Sequence, residues 1–140
     1  MQDILKFRGE YFFLSNFAPC EIEYNGVTYP TSEHAFQGAK MSDKADSEKI
    51  AACKTPGDAK RLGRKLKMRD DWESVKENVM YEILKIKFSQ PEFRSQLLKT
   101  GNAHIEEGNN HGDRYWGTVD RQGKNRLGII IMKIRNELKD

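Results

Sequence analysis

Apolar side chains recur with two different spacings along this chain, and each change of spacing marks a new element. Cys20-Glu21-Ile22-Glu23-Tyr24 alternates with period two, Val27-Thr28-Tyr29 does the same, and Asn25-Gly26 lies between them. Both central residues of a tight hairpin turn need positive φ, which Asn and Gly accept, so a β-hairpin is predicted here. Residues 4–7 and 11–14 are rich in apolar and aromatic side chains and are predicted as short strands. Pro30-Thr31-Ser32 then opens a helix running to about Met41, with Thr31 or Ser32 as N-cap and Glu33 in the first turn. A polar helix over 46–53 follows, and a third helix spans roughly 57–67. The fourth, over 71–89, is capped by Asp70 or Asp71. Pro91 begins a fifth that closes at Thr100-Gly101, where glycine suits a left-handed cap. After a glycine-rich stretch over 107–113, an amphipathic helix over 125–138 completes the pattern. The expected architecture is α+β: a single, mainly helical domain over residues 1–140 with a small N-terminal β-hairpin or sheet. There is no internal repeat, linker or low-complexity segment.

Composition narrows the class. At 140 residues the chain suits one compact domain. The apolar fraction of 37 % is low for a globular core, but the aromatics and the Ile/Leu/Val/Met runs still supply one. The longest apolar run, over 127–132, is interrupted by Gly128, so no membrane span is expected. No basic start followed by an apolar stretch is present, and the expected location is cytoplasmic. Cys20 and Cys53 lack a partner spacing, and His34, His104 and His111 form no HxH or HExxH pattern. Neither a disulfide nor a metal site is expected, and no cofactor is.

The net charge of +3 hides an uneven distribution. Between Lys54 and Arg69 stand seven basic residues and one acid, Asp58. Such a segment either attracts phosphates or nucleic acid, or is the solvated face of an amphipathic helix whose inner face is Ala59, Leu62 and Leu66.

Three further patterns bear on chemistry. Glu33, Gln37 and Lys40 share one face of the first helix, so a carboxylate, an amide and an amine either line a polar pocket or form a solvated stripe. Trp72, Val79 and Ile83 define the apolar face of the fourth helix. Lys76 and Lys87 fall within about 40° and 60° of Trp72 on that face, where a lysine snorkels to the edge or meets a buried anion. The third pattern is the stretch from His104 to Gly117. As a short strand over 103–107 it would turn Ala103, Ile105 and Glu107 inward and His104 and Glu106 outward. Glu107 and Asp113 would then bracket a glycine-rich loop beside Trp116. Two carboxylates can protonate a leaving group or activate water, and an aromatic can stack on a base. The same Asn, Asp and Gly content is also ordinary turn composition.

The ordered motifs resemble the NADAR (YbiA-like) family, named for a predicted link to NAD and ADP-ribose chemistry. The resemblance covers nearly the whole chain. It starts at Phe12-Phe13-Leu14-Ser15-Asn16-Phe17-Ala18-Pro19 and runs through the segment from Tyr24 to Lys40, with Tyr29-Pro30-Thr31-Ser32-Glu33-His34 and Gln37-Gly38-Ala39-Lys40. Arg69-Asp70-Asp71-Trp72 with Lys76, Met80 and Lys87-Phe88 comes next. Then follow Glu107-Gly108-Asn109, Asp113 with Trp116-Gly117, Gly123-Lys124-Asn125 with Gly128, and Met132 with Arg135. The chain has Trp116-Gly117-Thr118-Val119 where many members have Trp-Gly-x-Gly. Its Glu106-Glu107 pair offers two residues for one family glutamate, of which Glu107 precedes Gly-Asn.

The resemblance implies a YbiA-like (NADAR) fold and hydrolysis of an N-glycosidic bond at ribose. It implies catalytic roles for Glu33, Glu107 and Asp113, divided between the oxocarbenium ion, the water and the leaving base. Lys40, Lys76 and Lys87 would hold phosphate, Ser15 and Asn16 would hydrogen-bond ribose or phosphate, and Phe17, Trp72 and Trp116 would pack on base or sugar. Gln37, Gly117 and Asn125 complete the substrate-binding set, and Lys40 has a second role as a Schiff-base nucleophile. The implied partners are a ribosyl-phosphate or ADP-ribosyl substrate, with two sources. One is ADP-ribosylated guanine in DNA, which the basic segment favours. The other is the phosphoribosylamino-pyrimidine intermediates of riboflavin synthesis. A binding module that leaves its ligand intact is the reading of a different class, and the oligomeric state is left open.

Overall fold

The computed structural model describes residues 2–139. The chain divides into two compact units, one formed by residues 16–87 and one by residues 2–15 together with 88–139. It is mostly helical with one two-stranded antiparallel sheet, as the residue pattern predicts. Among the described residues no helix is long and apolar enough to cross a membrane.

In the contiguous unit, β1 (Pro19–Tyr24) and β2 (Val27–Thr31) pair with Ile22 opposite Tyr29, after an irregularity between Pro19 and Ile22. Asn25 and Gly26 carry φ of 51° and 80°, as the predicted turn requires. Cys20, Ile22, Val27 and Tyr29 turn inward from the two strands. Thr31 ends β2 and caps α1 (Ser32–Ala39), accepting the His34 N–H on its hydroxyl. The Tyr29 ring lies so close to α1 that a Cβ on Gly38 would come 2.2 Å from its hydroxyl oxygen, which fixes glycine there. α2 (Lys44–Ala51) anchors on the same turn through Ser47 Oγ, which donates to the Gly38 carbonyl at 2.7 Å. α3 (Pro56–Gly63) starts with Thr55 as N-cap and proline in its first turn. It stops four residues short of the expected end, because the chain leaves to pair Met68 with Met41. Arg69 N–H then donates to the Lys40 carbonyl at 2.9 Å. α4 (Trp72–Ser89) carries the buried stripe Trp72, Val79, Ile83 and Lys87, with Phe36 of α1 against Trp72 at a 4.9 Å ring separation.

The second unit departs more from expectation. Residues 4–7 form no strand: only Ile4 makes a bridge, to Ile105 in parallel. Residues 11–14 belong instead to a 3-10 helix, Gly9–Leu14. Tyr11-Phe12-Phe13-Leu14 has no alternation to support a strand, and only Leu14 is fully buried while Phe12 is exposed. α5 (Pro91–Lys99) ends with Gly101 at φ 63°. α6 (Arg126–Leu138) buries Leu127, Ile130, Ile131 and Ile134, and its Arg135 donates to Thr100 Oγ1 at 3.0 Å.

Candidate active site

All eight residues of α1 are buried, although Ser32, Glu33, His34 and Gln37 are polar. A buried polar group must be hydrogen-bonded, so each of these needs a partner. Ser32 Oγ donates to Asn16 Oδ1 at 2.8 Å, and the Asn16 carbonyl accepts the Glu33 N–H at 3.0 Å. His34 Nε2 faces the Cys53 carbonyl at 2.9 Å and Nδ1 faces Thr31 Oγ1 at 2.7 Å. A carbonyl only accepts, so the proton sits on Nε2 and the Thr31 hydroxyl donates to Nδ1. Ser32 and His34 therefore tie the helix down.

Glu33 and Gln37 are different. The Gln37 amide donates to Glu33 Oε2 at 2.8 Å. Burial raises the Glu33 carboxyl above its ordinary range, against the opposing pull of Gln37, Lys60 and Lys40. Lys40 is half-buried, and this desolvation lowers its pKa, with Glu33 acting in the other direction and Arg64 adding to the lowering. The expected stripe of Glu33, Gln37 and Lys40 is thus a polar line, buried at Glu33 and Gln37 and half-buried at Lys40. Lys60 belonged to the basic segment, and nothing in its spacing separated it from its neighbours. Its place on α3, which packs on α1, brings it within electrostatic reach of Glu33.

The other residues expected in this unit have varied environments. Asn16 is buried, with its amide on the Met80 sulfur at 3.7 Å. Phe17 is exposed, and Trp72 is packed on Phe36. Lys76 pairs with Glu73 at 2.7 Å, its side chain 19 % exposed. Lys87 is fully buried, which pushes its pKa down to about 7.

Ser15, Glu107, Asp113, Trp116, Gly117 and Asn125 belong to the second unit. Ser15 follows the 3-10 helix and donates its N–H to the Phe12 carbonyl at 2.9 Å. Asn109, quoted in the Glu107-Gly108-Asn109 motif but given no role there, organises the loop. Its Nδ2 donates to Glu107 Oε1 at 3.0 Å and to the Asp113 carbonyl at 2.9 Å, and its Oδ1 accepts the Asp113 N–H at 3.1 Å. Asp113 Oδ1 in turn accepts the N–H groups of Tyr115 and Trp116, at 3.0 and 2.9 Å. A Cβ on Gly117 would come 2.0 Å from Glu107 Oε1, so glycine there lets the carboxylate close on the loop. Asn125 clamps the segment to α6, accepting the Glu107 N–H at 3.0 Å and donating to the Ile105 carbonyl at 2.9 Å. Trp116 is half-buried, edge-on to Tyr115.

The expected alternation over 103–107 does not hold beyond Ile105. Glu106 is buried, while Glu107 is only partly so. Thr118 Oγ1 and Arg121 Nε hold Glu106 Oε2 at 2.8 and 3.0 Å, and His104 Nε2 holds Oε1 at 3.1 Å. A single bridge does not enforce period two, and Thr118 with the tight turn over 119–122 supplies Glu106 with partners.

A family model described as the NADAR domain matches residues 6–139. The chain belongs to the NADAR family. It is 43 % identical over 133 residues to N-glycosidase YbiA of Escherichia coli (strain K12), covering 92 % of this chain and 82 % of that one. A riboflavin biosynthesis protein of Vibrio vulnificus (strain YJ016) is 38 % identical over 132 residues, which are 91 % of this chain and 36 % of that protein. The NMR structure of E. coli YbiA superposes with a TM-score of 0.85 at 41 % identity, covering 99 % of this chain and 87 % of that one.

Proposed function

We propose that this NADAR chain is an N-glycosidase that hydrolyses the bond between C1′ of a phosphorylated ribose and a nitrogen base. The observation that carries this is the buried Glu33 carboxyl, raised in pKa and flanked by cations, in a chain 43 % identical to a named N-glycosidase. Cleaving C1′–N builds positive charge on the sugar and negative charge on the base. Water adds its hydroxyl to C1′, and its other proton ends on the base nitrogen. A carboxyl whose pKa is raised by burial can give its proton to the departing base and, once ionised, face the cationic sugar. Lys60 and Lys40 supply positive charge for a phosphate. The lowered pKa of Lys40 also suits an amine nucleophile. Lys40→Arg keeps the charge and removes the nucleophile, so retained turnover assigns Lys40 to phosphate and lost turnover assigns it to covalent chemistry.

For the substrate we favour the phosphoribosylamino-pyrimidine class, because relatives from Vibrio vulnificus and Zea mays carry riboflavin biosynthesis names. Removal of ADP-ribose from guanine in nucleic acid is the second reading, supported by the basic segment over 54–69. Glu107 and Asp113 are proposed as the further carboxylates of the reaction. The test is mass spectrometry on both substrates with wild type, Glu33→Gln, Glu107→Gln and Asp113→Asn. Free pyrimidine and ribose 5-phosphate, lost in Glu33→Gln, support the favoured reading. Restoration of plain DNA moves the assignment to the second, and bound but intact ligand in both reactions overturns hydrolysis.

A further inference from the structure

The hydrogen bonds of α1 leave one atom over. Gln37 Oε1 is buried and has no hydrogen-bond partner among the described residues, although Nε2 of the same amide holds Glu33. The oxygen is lodged against α3. A Cβ built on Gly63 would lie 2.2 Å from it and 3.1 Å from Gln37 Cδ. Gly63 is therefore a slot that the end of the Gln37 amide fills. Leaving a buried carbonyl without a partner is costly, which makes its place next to a buried carboxyl informative.

An amide has a donor at one end and an acceptor at the other, with nearly the same shape either way round. Facing Glu33 with nitrogen, Gln37 donates to a carboxylate. Turned end for end, it faces Glu33 with oxygen and accepts from a carboxylic acid O–H, and the nitrogen enters the slot at Gly63. A lysine at this position would serve the ionised form alone.

We propose that Gln37 is a positioning residue that holds the Glu33 carboxyl in one place in both of its protonation states, by turning its amide in the slot left open by Gly63. This rests on reading Glu33 as the acid–base group of the reaction. The titratable and charged groups that face Glu33 are Lys60 from α3, His34 from its own helix and Lys40 at that helix's C-terminal end. α2 and the hairpin meet the helix at Gly38, where Ser47 and Tyr29 are engaged.

Two variants separate positioning from packing. Gln37→Leu keeps the volume and removes both hydrogen-bonding ends. Gly63→Ala fills the slot and displaces the amide. In the ligand-free full chain, the Glu33 carboxyl is followed by 13C NMR titration and identified by its loss in Glu33→Gln. Both variants are expected to raise its midpoint by about 1 pH unit, since each form loses a hydrogen bond and the charge-assisted one to the carboxylate is the stronger. The Glu33 limb of the kcat/KM pH profile is expected to move by the same amount. A midpoint that stays in place in either folded variant overturns the proposal, even if melting temperature falls. A moved midpoint in a chain that cleaves no N-glycoside keeps the coupling and removes the N-glycosidase reading.

Discussion

Glu33 and Glu106, in different units of the chain, are both shielded from solvent, 9 % and 5 % exposed, but the Glu33 carboxyl lies deeper in its unit. Burial pushes both carboxyls upward. At Glu106, hydrogen bonds from Thr118, His104 and Arg121 outweigh it and hold the group below its ordinary range. At Glu33 the Gln37 amide donates a hydrogen bond to the carboxyl, and burial still keeps the group raised. Glu33 lies under more protein and has fewer donors than Glu106, and both differences push its pKa the same way. A carboxylate stabilised by several donors resists protonation and holds structure together. One left poorly solvated keeps its proton to higher pH than a free carboxyl.

The largest expected effect separates these two roles. Glu33→Gln should cut turnover by about 100-fold or more with the fold retained, as read by steady-state kinetics and circular dichroism. Glu106→Gln should leave turnover per folded molecule intact and cost about 1–3 kcal/mol in urea unfolding. The reverse pattern would exchange their roles.

Their pH dependence should also oppose. Between the ordinary glutamate range and its raised value, Glu33 is ionised in the unfolded chain and protonated in the native one. Its contribution to stability therefore falls as pH rises through that window. Glu106 stabilises above the ordinary range, and this is lost as pH falls through its lowered value. Unfolding curves of Glu33→Gln and Glu106→Gln against pH should each lose one of these slopes. Lys87 supplies a third slope at higher pH. Unfolded, its amine holds a proton to about 10.5, and folded it releases it near 7. The unfolded chain binds more protons in between, so stability climbs over that interval, and Lys87→Met should flatten the climb.

Smaller effects follow on the surface and in the loop. Asn109→Ala removes the side chain that joins Glu107 and Asp113, and should cost about 1 kcal/mol or somewhat more, measured by urea unfolding. Arg61→Ala breaks an exposed pair with Asp58 and should leave the melting temperature unchanged.

Sequence reasoning succeeded where a local residue carries its own geometry. Asn25-Gly26 specifies a turn, Thr31 a cap and Pro91 a helix start, and each stands where expected. It failed where geometry depends on distant chain. Residues 11–14 had the composition of a strand, but nothing in it says that a strand partner is missing. The end of α3 depends on Met68 meeting Met41, and the burial of Glu106 depends on Arg121 arriving from the tight turn over 119–122. For the candidate site, the line of Glu33, Gln37 and Lys40 was readable from helical spacing. The slot at Gly63 was not, because one glycine among eleven does not announce which side chain it makes room for.

The bridge between Ile4 and Ile105 has a consequence in time. Ribosomes add roughly 5–20 residues per second, so about 5–20 s separate the synthesis of these two residues. Residues 16–87 are complete within that interval and can begin to pack while Ile4 still waits for its partner. Slower synthesis of residues 88–105 should therefore lengthen the exposure of Ile4 on the nascent chain while the stability of the finished one is unchanged.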